Sequence, residues 1–123
     1  MNLLHLFKVM FTSIPRLHPA DCAERIRSGT IILIDVREPD EWAEGVAERA
    51  ALLPLSDLNG PRTHWKPFLE TAANRELVLY CRAGGRSMIA AKVLATEGFR
   101  TANGGAFSDW ADAGWPTVTP PSS

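Results

Sequence analysis

Residues 31–36 (IILIDV) form an apolar run that is rich in β-branched side chains and broken only by one aspartate. An unbroken apolar run of this length is typical of a strand buried on both faces, because a half-exposed strand alternates polar and apolar residues. A second run of the same kind occupies residues 76–80 (ELVLY). Helical patterns lie between and after these runs, so the sequence predicts an α/β domain with a mainly parallel sheet covered on both faces.

The other segments fit the same alternation of strands and helices. A short strand is predicted at residues 51–54, and helices are predicted at residues 19–27, 39–44, 65–73, 86–97 and 107–113. Glycines follow several of these helices, as helix ends require. A chain of 123 residues is long enough for one domain with a real hydrophobic core and too short for two.

Composition and charge exclude several classes of function. Thirteen Lys and Arg residues against fourteen Asp and Glu leave a net charge of −1, so no basic excess indicates a nucleic-acid partner. Two cysteines are too few for a disulfide framework or a cysteine-ligated zinc, and the three histidines show no ligand spacing. We therefore expect no metal site. No apolar stretch approaches the roughly 20 residues of a membrane span.

The two ends of the chain differ from the middle. Apolar side chains at positions 3, 4, 7, 10, 11 and 14 fall on one face of a helix, which predicts an amphipathic N-terminal helix over residues 1–13. This segment lacks the basic start and the cleavage site of a signal peptide, so the protein is predicted to be cytoplasmic. We expect the helix to pack on its own domain rather than on a second copy or a membrane. Residues 119–123 are predicted to be a flexible tail.

The chemistry is expected in the loop of residues 81–87 (CRAGGRS), between the second apolar strand and the strongest helical pattern. Ligands of open α/β sheets bind at the carboxyl ends of the strands, where this loop lies. Its glycines allow successive N–H groups to turn inward as an anion-binding nest at a helix N-terminus. The nest, the helix dipole and two arginines would lower the pKa of Cys81 below the ordinary value of about 8.5. The alternative is a buried structural cysteine followed by a glycine turn.

The pattern CRxGxRS at residues 81–87 is similar to the active-site loop of single-domain rhodaneses, a family of sulfurtransferases. Residues 33–42 (LIDVREPDEW) resemble the second signature of that family. Residues 98–99 (GF) and the pattern WxxxGxP at residues 110–116 resemble its C-terminal end. The likeness covers roughly residues 14–118. It implies a single rhodanese-like domain with a central five-stranded, mainly parallel sheet and helices on both faces.

The resemblance also implies a catalytic mechanism. Cys81 would attack the outer sulfur of a small donor such as thiosulfate and carry that sulfur as a persulfide to a thiol or protein acceptor. No metal or organic cofactor is implied. The residues that would bind the substrate are those of the loop, and others would support it: Arg82, Ala83, Gly84, Gly85 and Arg86 for binding, and Asp35, Arg37 and Ser87 for support.

The two loop arginines are expected to have different roles. By the geometry of the family, Arg86 would point into the nest and help set the loop shape and the thiolate. Arg82 is freer to reach solvent and would meet the sulfite end of thiosulfate as it docks. The alternative is that either arginine only pairs with a nearby carboxylate, for which Asp35 and Glu38 are available.

Two other functions stay open at this point. The first is a persulfide carrier module that serves a dedicated partner and turns over poorly alone. The second is a Cys-dependent phosphatase or arsenate reductase, since related folds use a Cys-to-Arg loop for oxyanions. Four residues separate Cys81 from Arg86, whereas such phosphatases place five between them, and Tyr80 stands where they commonly have His. The shorter loop therefore favours sulfur over phosphate.

A few remaining residues and segments have weaker signals. Cys22 is predicted to be a small core residue rather than a resolving thiol. The tryptophans are predicted to serve packing, with Trp42 or Trp110 bordering the pocket. Two segments depart from the family: residues 45–50 (GVAERA) stand where it has Gly-His-Ile-x-Gly-Ala, and residues 105–106 (GA) stand where it has Gly-Gly.

Overall fold

The computed structural model describes residues 2–121, and its elements follow the predicted alternation. The helices are α1 (Leu3–Phe11), α2 (Pro19–Ser28), α3 (Pro39–Trp42), α4 (Leu55–Leu58), α5 (Trp65–Thr71), α6 (Gly85–Thr96) and α7 (Phe107–Asp112). The strands are β1 (Ile31–Asp35), β2 (Val46–Ala47), β3 (Ala51–Leu52), β4 (Glu76–Cys81), β5 (Thr101–Ala106) and β6 (Thr117–Val118). The predicted helices begin and end within two residues of these bounds. Residues 122–123 of the predicted tail lie outside the described range.

The central sheet has four parallel strands in the order β3-β1-β4-β5. The expected fifth strand is replaced by a single parallel bridge at the β5 edge, between Arg16 and Asn103. There the Asn103 N–H donates to Pro15 O at 2.9 Å and the Leu17 N–H donates to Asn103 O at 3.0 Å. Pro15 has no N–H to donate, and a helix begins at Pro19, so the pairing stops after one residue. The predicted parallel sheet between layers of helices is confirmed, but its predicted number of five strands is not: the described residues form four.

The sheet is buried on both faces, as the apolar runs predict. In β1, Ile31 and Leu33 belong to one core cluster, whereas Ile34 belongs to the cluster on the opposite face. The same alternation in β4 puts Val78 on the first face and Leu79 on the second. Both faces being apolar explains why neither run shows a polar period of two.

Strand β5 is missing from the sequence-based prediction because its residues, TANGGA, are poor strand formers. The structure shows why glycine stands there. A Cβ on Gly104 would lie 3.0 Å from Val78 Cγ1 and 3.1 Å from the Leu79 carbonyl oxygen. The register also shifts between Leu79 and Tyr80, so that Gly105 pairs with Tyr80 across a bulge.

The N-terminal helix α1 lies against α6 but turns most of its apolar side chains outward. Val9 is its buried residue, and the apolar residues Leu3, Leu4, Leu6, Phe7, Met10 and Phe11 are exposed. The prediction that α1 covers its apolar face with its own domain is therefore wrong. Within residues 2–121, the helices are all too short to cross a bilayer.

Candidate active site

Cys81 is the last residue of β4 and lies at the carboxyl edge of the sheet, directly before the loop that leads into α6. The chain reverses at Gly84, whose φ of +98° lies in the left-handed region that glycine adopts without strain. This turn aims two backbone N–H groups at Cys81 Sγ, from Gly84 at 3.0 Å and from Ser87 at 3.4 Å. The thiol lies on the floor of the loop, since the residue is 1% exposed, while Arg82 and Ala83 form an exposed rim.

The environment of Cys81 favours the thiolate. Burial raises the pKa of the thiol, but hydrogen bonds from the Ser87 hydroxyl and from the N–H groups of Ser87, Ala83 and Gly84 outweigh it. The pKa of Cys81 therefore lies below the ordinary value of a cysteine, in the direction that the sequence predicts. A larger fraction of the thiol is then ionised at neutral pH, and its alkylation rate reaches a plateau at a lower pH.

A buried network formed by Ser87 and Asn103 lies behind the thiol, and no sequence pattern indicates a role for Asn103. The Asn103 side-chain N–H donates to Gly84 O at 3.1 Å, and its Oδ1 accepts the Gly105 N–H at 3.0 Å. These two backbone partners fix which end of the amide is oxygen. Oδ1 is also 2.7 Å from Ser87 Oγ, and because Oδ1 can only accept, Ser87 must donate.

The Ser87 hydroxyl has one hydrogen and three acceptors that compete for it, Asn103 Oδ1 at 2.7 Å, Gly84 O at 3.2 Å and Cys81 Sγ at 3.4 Å. With the neutral thiol, the shorter bond to Asn103 is favoured. With the thiolate, the hydroxyl must turn to the sulfur and give up Asn103. Asn103 therefore opposes ionisation of Cys81 through Ser87.

We expect Asn103→Ala to lower the pKa of Cys81 by roughly 0.5–1 pH unit, which is the value of one neutral hydrogen bond. Ser87→Ala should raise it, and Asn103→Ala should then have no effect in the Ser87→Ala background. The measurement is the rate of iodoacetamide alkylation against pH, made in a Cys22→Ser chain. If Asn103 only braced the loop, Asn103→Ala would instead raise the pKa toward the ordinary value.

The loop arginines bind carboxylates that the sequence did not single out as site residues. Arg86 makes a two-pronged ion pair with Glu41, with nitrogen–oxygen distances of 2.6 and 2.8 Å. Arg82 bonds Glu41 at 3.1 Å and the exposed Glu44 at 3.0 Å. Glu41 thus bridges both arginines, and Arg86 is the first cause that holds the pKa of Glu41 far below its usual range. Arg82 is 56% exposed, as expected of a residue that can reach solvent.

The carboxylates proposed from the sequence as partners of these arginines have other contacts. Asp35 forms a fully buried ion pair with Arg37, with a shortest distance of 2.8 Å. Glu38 accepts hydrogen bonds from the N–H and the hydroxyl of Ser56. Glu41 was missed although it lies inside the second signature. Its helix α3 is only four residues long, and periodicity in so short a helix does not show which way a side chain points.

Arg37 helps to anchor residues 45–50, the segment that differs from the family pattern, on the central sheet. Its guanidinium donates to Gly45 O at 2.6 Å, and the Tyr80 hydroxyl accepts the Ala47 N–H at 2.9 Å. Gly45 has a φ of +116° and begins the departing segment. The altered residues therefore leave this loop anchored at both Gly45 and Ala47, next to the helix that carries Glu41.

Cys22 is a core residue, as predicted. It is 1% exposed and packs with Ile26 and Leu33 in one core cluster, whereas Cys81 belongs to the other cluster. Burial is the main cause that raises the pKa of Cys22 to about 11, so this thiol is unreactive at neutral pH. The two cysteines are free and lie in different core clusters, in agreement with the prediction that Cys22 is a core residue.

The tryptophans also follow the packing prediction. Trp110 is fully buried and its indole N–H donates to Gly104 O at 3.0 Å, so it does not border a pocket. Trp42 lines a groove with Leu52 and Pro120 rather than the cradle around Cys81. Among residues 2–121, no group of three His, Cys, Asp or Glu side chains is placed to hold a metal ion.

Known proteins resemble the chain over most of this fold. The model of the rhodanese-like domain matches residues 18–113. A protein of Allochromatium vinosum named sulfurtransferase is 35% identical over 94 residues, which are 73% of this chain and 80% of that protein. A mitochondrial protein of Schizosaccharomyces pombe is 35% identical over 94 residues, but these are 66% of this chain and 63% of that protein. This chain therefore spans less than two thirds of the fission-yeast relative.

Comparison with solved structures agrees with the sequence comparison. The crystal structure of a rhodanese-related protein from Thermoplasma volcanium matches with a TM-score of 0.71 and 27% sequence identity. The match covers 86% of this chain and 99% of that one. The likeness therefore extends to the whole layered arrangement of sheet and helices and not only to the loop around Cys81.

Proposed function

Because this chain belongs to the rhodanese-like domain family, we propose that it transfers a sulfane sulfur from a donor such as thiosulfate to a thiophilic acceptor, with Cys81 as the carrier. The observation that carries the proposal is the pair of N–H groups, from Gly84 and Ser87, that point at Sγ. Such groups stabilise negative charge on a thiolate and, one bond further out, on a persulfide. The cytoplasm stays the proposed location, since a free cysteine in a reactive loop favours a reducing compartment.

The proposed reaction has two displacement steps. The Cys81 thiolate attacks the outer sulfur of thiosulfate, an S–S bond forms to Cys81, and the S–S bond of the donor breaks with its electron pair leaving on sulfite. The enzyme-bound persulfide is then attacked at its outer sulfur by the acceptor, for example a thiolate or cyanide. The bond to Cys81 breaks, the thiolate is regenerated, and no net oxidation of the protein occurs.

Two features support sulfur transfer over phosphate chemistry. The nest between Cys81 and Arg86 is short, and its N–H groups converge on one sulfur atom rather than around a tetrahedral oxyanion. The Arg86 guanidinium, which would bind phosphate oxygens in a phosphatase, is already paired with Glu41 through both of its terminal nitrogens. A phosphate would have to displace that pair.

The experiment is incubation of the purified chain with thiosulfate, followed by intact-protein mass spectrometry. One sulfur atom should be added per chain, and cyanide should remove it and yield thiocyanate. A parallel assay with an aryl phosphate should give no comparable turnover. Failure to load sulfur, together with aryl phosphate turnover, would replace this proposal with the phosphatase alternative.

The two arginines should separate in their effects on thiosulfate. Arg82→Ala should raise KM for thiosulfate several-fold and leave KM for an uncharged sulfur donor unchanged, because the exposed guanidinium is placed to meet an incoming anion. Glu44→Gln should have the opposite effect and lower KM for thiosulfate, since it removes a carboxylate that competes for Arg82. The measurement is steady-state kinetics with both donors.

The matched variant for this comparison is Arg86→Ala. It removes the guanidinium held by Glu41, and the expected result is a raised thiol pKa and slower alkylation of Cys81 at neutral pH, with either donor affected equally. An unchanged KM in Arg82→Ala, with the donor-selective effect found in Arg86→Ala, would reverse the two assignments and leave sulfur transfer itself intact.

The identity of the sulfur acceptor distinguishes two forms of this function, an independent enzyme and a carrier that serves a dedicated partner. A small thiol such as glutathione suffices for an enzyme, whereas a carrier would discharge only to its protein partner. We expect comparison of persulfide discharge by glutathione, thioredoxin and cell extract to decide between them, starting from chain loaded in the mass-spectrometry experiment.

A further inference from the structure

Helix α1 presents an apolar surface to solvent, which we name the α1 patch: Leu3, Leu4, Leu6, Phe7, Met10 and Phe11. These six side chains are between 46% and 82% exposed. At 100° per residue, Leu3, Phe7 and Phe11 lie along one side of the helix, and Val9 lies on the side that contacts the domain. Helix α1 therefore turns its apolar side to solvent, whereas an amphipathic surface helix usually turns that side to the core.

The helix that carries the α1 patch is held in place by its own ends. The Asn2 side chain caps its first turn by accepting the His5 N–H at 2.7 Å. At the other end, Lys92 Nζ on α6 donates to Met10 O at 3.3 Å. The rings of Phe7 and Phe11 contact each other at a tilt of 40°, with centroids 4.5 Å apart. The patch is thus a defined surface.

The size of the α1 patch matches an interface rather than a bare surface. A Phe side chain carries about 150–250 Å², and Leu and Met lie near the lower figure, so the six side chains at these exposures present roughly 600–800 Å². A monomer's largest apolar patch is about 300–600 Å². Each partner in a standard protein interface contributes about 800 Å².

The charge of the α1 patch favours a second copy of this chain as its occupant. A two-fold axis brings a surface against itself, so the surface must be self-complementary. The six patch residues are uncharged, with Lys8 beside them, and they can meet their own copy without like-charge repulsion. A helix that lies on a membrane has several basic residues on its polar side, whereas α1 has only Lys8.

We propose that two copies of this chain form a dimer in which the α1 patches pack against each other across a two-fold axis. The inference is independent of the proposed sulfur transfer. It follows from the outward apolar face, its area and its lack of charge, and it uses no residue of the loop around Cys81.

Sedimentation equilibrium of the full chain, from low to high micromolar concentration, tests the proposal. The wild-type chain should be a dimer, and Phe7→Ser/Phe11→Ser should raise the dimer dissociation constant about ten-thousandfold, since the two substitutions remove four rings from a two-fold interface and each ring costs about tenfold. The matched control is Val118→Ser, which removes an exposed apolar side chain from β6, outside the patch. Leu3→Glu, at the most exposed patch position, is a second variant that keeps the test valid if the first does not fold.

Circular dichroism should show that the variants keep the helix content and melting temperature of the wild-type chain. A monomeric wild-type chain at every concentration, or a dimer unchanged in both patch variants, would overturn the proposal. Flotation with vesicles of phosphatidylglycerol and phosphatidylcholine gives the competing result. Binding of a monomeric wild-type chain that the patch variants lose would assign the patch to a lipid surface instead.

Discussion

Replacement of Cys81 by serine is expected to abolish sulfur loading and to reduce thiosulfate-dependent thiocyanate formation by about 10³ or more, as loss of a nucleophile does. The hydroxyl that replaces the thiol is not ionised near neutral pH, so the N–H groups of Gly84 and Ser87 have no anion to stabilise. The measurements are intact-protein mass after incubation with thiosulfate and the steady-state rate of thiocyanate formation.

The control for this prediction is Cys22→Ser. Cys22 lies in the other core cluster and burial raises its pKa to about 11, so its loss should leave the sulfur adduct and the activity unchanged. The variant should lose some stability because a buried thiol becomes a hydroxyl, and a thermal melt measures that loss separately from the activity. Full activity in Cys81→Ser would contradict the assignment of the sulfur carrier.

The sequence predicted those residues whose role depends on their near neighbours in the chain. The composition of the apolar runs at β1 and β4 was enough to predict that both strands are buried. Cys81 follows directly in sequence as the last residue of β4, so its place at the edge of the sheet could also be predicted. The lowered pKa of Cys81 results from hydrogen bonds of the Ser87 hydroxyl and of backbone N–H groups in residues 83–87, which come directly after it. In each case the cause lies within a few residues of the effect.

Residues whose role depends on distant packing were not predicted. Asn103 stands in a glycine-rich strand with poor strand propensity, and it reaches Ser87 only because β5 lies beside β4. Glu41 meets Arg86 across 45 positions of sequence, from a helix too short to show a face. The outward face of α1 was predicted to be inward, because periodicity identifies an apolar stripe and does not say which surface covers it.

The same distinction applies to the fifth strand of the sheet. The family resemblance implies five strands, whereas the sheet within residues 2–121 has four strands and the bridge at Arg16. Pro15 and Pro19 lie on either side of it and remove the N–H groups that a longer ladder needs. The two prolines are visible in the sequence. Their effect on strand pairing could be predicted only with the knowledge that residues 15–19 run along the β5 edge of the sheet.

Arg37→Ala should be the most destabilising single substitution that we predict, with a loss of about 3–5 kcal/mol in the free energy of unfolding. Asp35 is 0% exposed and would be left as a buried charge without its partner. Gly45 O would also lose the 2.6 Å hydrogen bond that anchors the loop after α3. Urea denaturation monitored by tryptophan fluorescence measures the change.

Two control variants test whether the loss of stability in Arg37→Ala comes from the buried ion pair of Arg37 and Asp35. Arg25→Ala removes an ion pair with Glu76 that is 48% exposed on the arginine side, and it should cost only about 0–1 kcal/mol. Asp35→Asn/Arg37→Met removes both charges, keeps an acceptor for the Arg37 N–H, and should regain much of the lost stability. A loss in Arg37→Ala no larger than in Arg25→Ala would show that the pair does not hold the core.

The Arg37→Ala variant should also change the site, because the Arg37 guanidinium lies 3.5 Å from the backbone carbonyl oxygen of Glu41. Loosening α3 frees the Glu41 carboxylate from the geometry that pairs it with both loop arginines. Arg86 is then less well fixed beside Cys81, so the thiol pKa should rise and alkylation at neutral pH should slow even in the fraction that stays folded. A chain that unfolds more easily but alkylates Cys81 at the wild-type rate below its melting temperature would show that the buried pair acts on stability alone.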